Sequence, residues 1–355
     1  MRSFVDLDKT FGNQPRELGA ALARIDTGKG QERLFQDQKP AVLKQLSEHA
    51  RVASITASNA IENVVLDDER AARIAEGSPS FRNRNEKEFA GYRDAIDWLM
   101  RRESYEALSV PLILHLHRLI FSHVDGRGGH LKSEPNLIVS YESGRREVVF
   151  TPPDEKQTPQ LLSELLVRYA EAKQEGRTHP IVLIGALILD FLAIHPVADG
   201  NGRLARLLTT YELLSGGYGV ARYVSVEQRI FESKNAYYAS LYESQQGWHG
   251  SGHSIWPWTT YLVRILDGAY RDFEQRVAAA DQGSGNKQER VRNFILTQAP
   301  NVFRTRDVQR ALPDISSATI RLVLNELRDQ HKIRSEGSGS GARWHRTQPA
   351  AGDPE

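Results

Sequence analysis

The stretch His195-Pro196-Val197-Ala198-Asp199-Gly200-Asn201-Gly202-Arg203-Leu204-Ala205-Arg206 follows an apolar run over 181–194. That run has the length of a helix, is too short to span a bilayer and carries Asp190, so it predicts a helix buried in a protein core. Beyond it, Gly200 and Gly202 permit positive φ and close backbone approach, which lets successive amides turn inward as an anion nest where the next helix begins. Arg203 and Arg206 stand three apart on that helix, and both guanidinium groups can clamp terminal phosphates from one side of it. Asp199 beside the nest offers a hard oxygen suited to Mg²⁺ bridging phosphates. His195, whose imidazole ordinarily titrates near neutrality, can accept a proton from a hydroxyl. A lone Gly-x-Gly is weak evidence and a lone histidine is more often structural, but the joint spacing predicts a phosphate-transfer site.

Working outward, the periodicity from Gln38 to about Arg271 is helical and predicts an all-α core. Gly and Pro break it at Gly77-Ser78-Pro79, at 125–129, at Thr151-Pro152-Pro153, at Thr178-His179-Pro180 and at Gly216-Gly217. One segment departs: Leu137-Ile138-Val139 and Val148-Val149-Phe150 are β-prone and flank Glu142-Ser143-Gly144-Arg145, which predicts a hairpin. Its unpaired edges are a liability unless an incoming strand docks there; a plain surface excursion is the alternative. His115 and His117 lie two apart, on different helix faces, and do not predict a metal pair.

The small, polar stretch 278–287 predicts a linker. After it, helical patterns at 290–297, 305–312 and 316–330 precede a short basic strand and a Gly/Ser turn at 336–341, an order that resembles a winged helix. In the last helix Ile320, Val323, Leu324 and Leu327 share one face, and Ser317, Arg321, Asn325 and Arg328 the adjoining one, as in a recognition helix. Lys332, Arg334, Arg343 and Arg346 surround the expected wing. The predicted fold is mainly α with a small C-terminal α+β domain. It divides into a helical region 1–75, a core 76–277, a linker 278–287, a winged-helix-like domain 288–346 and a tail 347–355.

The bulk properties are compatible with this. The chain has 355 residues, of which 40% are hydrophobic and 26% charged, enough for a large core plus a small domain. Cysteine is absent, which excludes a disulfide framework, a thiolate zinc site and a cysteine nucleophile. The start lacks a signal-peptide pattern, and a cytoplasmic, non-membrane protein is expected. Net charge is +1, yet 287–346 holds twelve Lys and Arg against six Asp and Glu, so this segment carries about +6. DNA contact through it is therefore a competing expectation.

The spacing H-P-x-x-D-G-N-G-R-x-x-R resembles the signature of the Fic family, H-x-F-x-D/E-G-N-G-R-x-x-R. Val197 replaces the usual phenylalanine, a smaller apolar anchor from which a modest loosening of the loop is expected. The resemblance implies a Fic-type helical core in which His195 is the general base and Asp199 holds Mg²⁺. Gly200, Asn201 and Gly202 form the nest, Leu204 and Ala205 continue the nucleotide-binding stretch, and Arg203 and Arg206 bind the β- and γ-phosphates. The hairpin is similar to the family's flap, where Leu137, Ile138 and Val139 would dock an extended target, and the stretch 116–132 resembles the helix and glycine turn before it. Tyr237-Tyr238 with Leu241 resembles the Y-Y-x-x-L helix, placing Tyr238 near the nucleotide; a core aromatic is the plain alternative.

Ser58-Asn59-Ala60-Ile61-Glu62-Asn63 resembles the Fic inhibitory motif S/T-x-x-x-E-G/N, with Ser58 and Glu62 on one helix face. There Glu62 would pair with Arg206 and occupy the guanidinium meant for the γ-phosphate. The implied activity is transfer of AMP from ATP, with Mg²⁺, to a Ser, Thr or Tyr hydroxyl of a target protein or of the chain itself, restrained by Glu62. The competing reading is a winged-helix DNA-binding regulator that uses the Fic core as a nucleotide sensor. A homodimer is left open.

Overall fold

The computed structural model describes residues 2–77, 80–124, 126–142, 145–282, 287–313, 315–337 and 342–347. The predicted break at Ser78-Pro79, the break residue Asp125, the hairpin tip Ser143-Gly144, the middle of the linker, the turn residues 338–341 and the tail from 348 lie outside the described residues.

The chain begins with α1 (Leu7–Phe11), α2 (Arg16–Gln38), α3 (Pro40–Ile61), α4 (Asp68–Ala75), α5 (Arg84–Met100) and α6 (Val110–Ile120). A hairpin of β1 (Ile138–Glu142) and β2 (Arg145–Phe150) leads into α7 (Thr158–Glu175), α8 (Pro180–Ile194), α9 (Asn201–Ser215), α10 (Val226–Glu232), α11 (Lys234–Gln245) and α12 (Trp256–Gln282). The last elements are α13 (Lys287–Asn293), β3 (Val302–Arg304), α14 (Thr305–Ala311), α15 (Ser317–Asp329), β4 (Ile333–Glu336) and β5 (Arg343–Arg346). The fold is mainly helical. It forms two compact units, one of residues 1–32 with 49–269 and one of 33–48 with 270–355.

The first unit is built round α8. His179 accepts the Ile181 N–H, and Pro180 opens the helix with the φ its ring already fixes. Every side chain from Ile181 to Ile194 is buried, so the helix is apolar on all faces and packs against α7 and α9. Burial of each such Leu or Ile contributes about 1.5–3 kcal/mol. Asp190 is the exception inside it, fully buried and accepting hydrogen bonds from the Ser3 N–H (3.0 Å), the Ser3 hydroxyl (2.8 Å) and Trp248 Nε1 (2.7 Å). No helix among the described residues is long and apolar enough to cross a membrane.

The helical pattern starts earlier than Gln38. Helix α2 occupies Arg16–Gln38, inside the region 1–75 read as helical, with Gly19, Gly28 and Gly30 diluting its apolar period. The hairpin is present and antiparallel, with Val139 opposite Val148 and a bulge between Ile138 and Val139. Among the described residues it is a two-stranded sheet, so its outer edges are unpaired. Phe150 at its base stacks on His249 at 5.2 Å, and His249 Nε2 lies 2.9 Å from the Thr151 carbonyl.

The second unit contains a three-stranded antiparallel sheet in the order β3-β5-β4. Strands β3 and β5, three and four residues long, were not expected, because so short a run shows no alternation. Ile320, Val323, Leu324 and Leu327 of α15 are buried in a core with Phe303 and Trp344, while Ser317, Arg321, Asn325 and Arg328 are exposed.

Asp190→Ala leaves the buried Trp248 and Ser3 donors without their acceptor. A loss of about 2–4 kcal/mol in unfolding free energy is expected from chemical denaturation, against less than about 0.5 kcal/mol for a control at an exposed site such as Arg321→Ala.

Candidate active site

Helix α8 ends at Ile194, and His195 continues the chain in the left-handed region, φ 52°, its N–H still donating to the Phe191 carbonyl at 3.0 Å. A non-glycine residue held there is uncommon and swings its side chain out of the helix direction. The half-buried ring has Nδ1 3.1 Å from the Leu192 carbonyl. A carbonyl can only accept, so Nδ1 carries the proton and Nε2 keeps its lone pair. Burial pulls the imidazole down to about 4; the Leu192 bond opposes this, the Lys132 charge adds to it, and Glu62 and Asp199 resist it. At neutral pH this histidine is a neutral base.

The loop after it is fixed by side chains from three directions. Asn201 Oδ1 accepts the Val197 N–H (3.1 Å) and its Nδ2 donates to the Val197 carbonyl (2.7 Å). Asn136 Nδ2 donates to the carbonyls of His195 (3.2 Å) and Val197 (3.1 Å). Lys132 Nζ in turn donates to Asn136 Oδ1 (2.9 Å) and to the carbonyls of Pro153 (2.7 Å) and Ile194 (3.0 Å). His117 Nδ1 accepts the Gly129 N–H at 3.1 Å, which leaves Nε2 as the donor to the Asp199 carbonyl, also 3.1 Å. Burial holds this second imidazole near 4 as well. Val197 is fully buried, and the loop owes its order to these polar ties rather than to the bulk of the residue there. Asn136 carried no signal in the sequence; Lys132 and His117 fell in the stretch likened to the family but were given no task.

The two glycines differ. Gly200 has φ 82°, and a Cβ on it would stand 2.8 Å from the Phe121 ring. Gly202 has no positive φ and lies in the first turn of α9, so of the two properties expected only close approach applies to it. A Cβ there would stand 2.4 Å from Glu62 Oε1. Leu204 and Ala205 are buried and face the core, so they offer the site only backbone. The first-turn amides of α9 have no intrahelical acceptor and open on the loop.

The arginines diverge instead of forming one clamp. Arg203 lies 2.9 Å from Glu88 of α5 and 4.9 Å from the Phe121 ring centroid. Arg206, 3% exposed, turns to the end of α3: Nε donates to Ser58 Oγ (2.9 Å), and Nη2 donates to the Ser58 carbonyl (3.0 Å) and Glu62 Oε1 (2.8 Å). Its Nη1 is buried without a well-formed hydrogen bond among the described residues, and the guanidinium also faces the buried Tyr237 hydroxyl. Burial works to raise the Glu62 carboxyl, but Arg206, with Arg203 and Lys234, outweighs it and holds the group below its ordinary value. Lys234, at the start of α11, was not anticipated. Its Nζ lies 5.9 Å from the ring of Tyr238, which is 44% exposed while Tyr237 is buried, so Tyr238 is not a core aromatic.

Asp199 is half-exposed, its Oδ2 3.2 Å from Arg127 Nη1 and 3.6 Å from Arg84 Nη2. Among the described residues no three His, Asp or Glu side chains gather as a metal cage. One reachable carboxylate beside an anion-binding loop does fit Mg²⁺, which takes most of its oxygens from phosphates and water. Leu137 is exposed and Ile138 and Val139 half-buried.

Part of the chain is similar to known proteins. Residues 107–213 match the model of the Fic/DOC family. The chain is 27% identical over 203 residues to the protein adenylyltransferase Fic of Drosophila yakuba, covering 55% of this chain and 36% of that one. It is 33% identical over 86 residues to a Fido domain-containing protein of Dictyostelium discoideum, covering 23% and 60%. It thus spans about a third of the length of the Drosophila relative. The crystal structure of a Fic family protein from Desulfovibrio desulfuricans G20 superposes with a TM-score of 0.60 at 21% identity, covering 96% of this chain and 98% of that one. A Fic domain-containing protein from Bacteroides thetaiotaomicron gives 0.59 at 20% identity, covering 74% and 100%. Residues 107–213 thus match the Fic/DOC family model, and the chain as a whole is similar in fold to Fic proteins.

Proposed function

We propose that this protein transfers AMP from ATP to a hydroxyl side chain of a protein and that Glu62 restrains it. One observation carries the reading: a neutral imidazole with its Nε2 lone pair available stands at the head of a loop that leads into a helix whose buried Arg206 guanidinium is held by Glu62. His195 Nε2 takes the proton of the target hydroxyl as its oxygen attacks the α-phosphorus. The new O–P bond forms, the bond from the α-phosphorus to the bridging oxygen breaks, and pyrophosphate leaves with that electron pair. The amides at Gly200, Asn201 and Gly202 receive phosphate oxygens, Arg203 and Arg206 hold the β- and γ-phosphates, and Tyr238 lines the nucleotide. Asp199 would hold Mg²⁺, which when bound would supply neutralisation of the phosphate charge. Catalysis is then mainly positioning and electrostatics.

The restraint follows from competition for one cation. Glu62 and Ser58 hold Arg206, so the γ-phosphate must either displace a half-buried, hydrogen-bonded carboxylate or bind elsewhere and misalign the α-phosphorus. In functional terms, residues 1–75 carry the restraint, 76–277 the chemistry and the flap at Leu137, Ile138 and Val139 the target, with the chain itself as one candidate target. The winged-helix-like segment 288–346 is the place for a further partner. Exposure of Arg321 and Asn325 on α15 favours a second reading in which this segment binds DNA and the family domain senses nucleotide. Specific, salt-dependent DNA retention without AMP transfer would establish that reading in place of the first.

Glu62→Gly is expected to raise incorporation of labelled AMP at least tenfold, about 1.4 kcal/mol off the barrier, and His195→Ala in that background to abolish it. Equal rates for Glu62→Gly and the unaltered protein remove the restraint.

A depressed imidazole is protonated only at low pH, so activity present at neutrality is lost only as pH falls through the histidine's own value. The acid limb of the Glu62→Gly rate profile is therefore expected well below the ordinary histidine value of about 6.5, toward the value of about 4 set by burial. Removing Glu62 takes away an anion that favoured imidazolium, which moves the limb lower still. A limb at or above the ordinary value would mean that His195 is solvated or is not the base.

A further inference from the structure

Ser54 and Ser58 on the last turns of α3 and Glu62 immediately after it stand at four-residue intervals and so share a face. Ser58 and Glu62 contact Arg206, as described. Ser54 does not reach α9. Its buried hydroxyl donates to Oε2 of Glu227 on α10 at 2.8 Å and lies 2.9 Å from Ser225 Oγ. Glu227 is itself buried. Its other oxygen accepts from Thr210 of α9 (3.3 Å), one turn beyond Arg206, and from Tyr92 of α5 (3.4 Å). Among the described residues the side-chain hydrogen bonds to this carboxylate all come from hydroxyls.

A buried carboxylate without a paired cation is expensive, and an apolar side chain would fill the same volume more favourably. What the carboxylate adds is direction. It fixes one point on each of α3, α5 and α9 to within hydrogen-bond tolerance, which apolar packing does not. Ser54 lies eight residues from Glu62, about 12 Å along the helix. Arg51, one turn earlier, ties α3 to Asp97 of α5 and the Ala75 carbonyl, and neither belongs to the helix that carries Arg206. The Glu227 node instead joins α3 to that helix through Thr210. Tyr92 closes the circuit, since its hydroxyl lies against Glu227 and is also influenced by Ser58 and Arg206.

We propose that Glu227, acting through Ser54, is a positioning residue for the restraint: it sets the register of α3 against α9 and thereby brings Glu62 to Arg206. The proposal rests on Glu62 being the restraint. It adds that the restraint has a second, buried anchor about two turns back along the same face of α3.

The test measures AMP incorporation from labelled ATP by the full chain bearing Ser54→Ala, Ser54→Thr or Glu227→Gln, each with Glu62 present and with Glu62→Gly. With Glu62 present, Ser54→Ala and Glu227→Gln are expected to raise transfer about fivefold, the equilibrium shift for losing roughly one net hydrogen bond, and to speed hydrogen exchange of the amides at 58–62. In the Glu62→Gly background neither is expected to raise the rate further, and Ser54→Thr, which keeps the hydroxyl, is expected to keep the restraint. Should Glu227→Gln fail to fold, Ser54→Ala, the smaller change, decides. Unchanged transfer by Ser54→Ala with Glu62 present, or an equal rise in both backgrounds, overturns the proposal while leaving Glu62 as the restraint. If Glu62→Gly is itself no faster than the unaltered chain, the restraint falls and this anchor with it.

Discussion

A guanidinium almost sealed from water must have an anion or a set of acceptors beside it, because an unpaired buried charge costs several kcal/mol. Arg206 is that group here. Its side chain is 3% exposed, and the chain supplies it with the Ser58 hydroxyl, the Ser58 carbonyl and the Glu62 carboxylate. The proposed chemistry and the proposed restraint both follow from this one cation, which either a carboxylate of the chain or a phosphate of a substrate can satisfy. Gly202 is the small residue that makes the exchange possible, since any Cβ there would collide with the Glu62 carboxylate.

The site is rigid where it must be and reachable where it must be. Helix α8, buried on every face, fixes the position from which His195 departs, and Asn201, Asn136, Lys132 and His117 hold the backbone that follows. These ties use both nitrogens of His117 and fix the proton of His195 on Nδ1, so neither ring has freedom to adopt another tautomer without losing a bond. Asp199, by contrast, is half-exposed and held only by arginines at the surface, the kind of pairing that is weak and readily exchanged. Among the described residues the hairpin at 138–150 is a two-stranded sheet whose outer edges carry no further strand.

Much of this was legible before any coordinates. The helical class, the buried helix before the loop and the hairpin at 138–150 followed from periodicity and breakers. The partition of α15 into a buried Ile320, Val323, Leu324 and Leu327 face and an exposed polar one also matched its spacing. Other features were not readable. Strands β3 and β5 are too short to show a period. The expectation that Arg203 and Arg206 form one clamp came from their spacing on α9, but which carboxylate each one meets is decided by α5 and α3, far away in the chain.

The sequence by itself determined the chemistry on offer: an imidazole, a carboxylate, two glycines and two guanidiniums in one short run, and a serine and glutamate four apart on an earlier helix. Local spacing dictates such things because a helix turn and a tight loop are set by neighbouring residues alone. Tertiary structure alone decided the pairings. That Glu62 meets Arg206 across 144 positions, that Asn136 braces His195, and that Glu227 reaches Ser54 across 173 depend on which helix faces pack together. Packing of that kind is settled by the summed burial of the whole core, a quantity no single stretch of the chain contains.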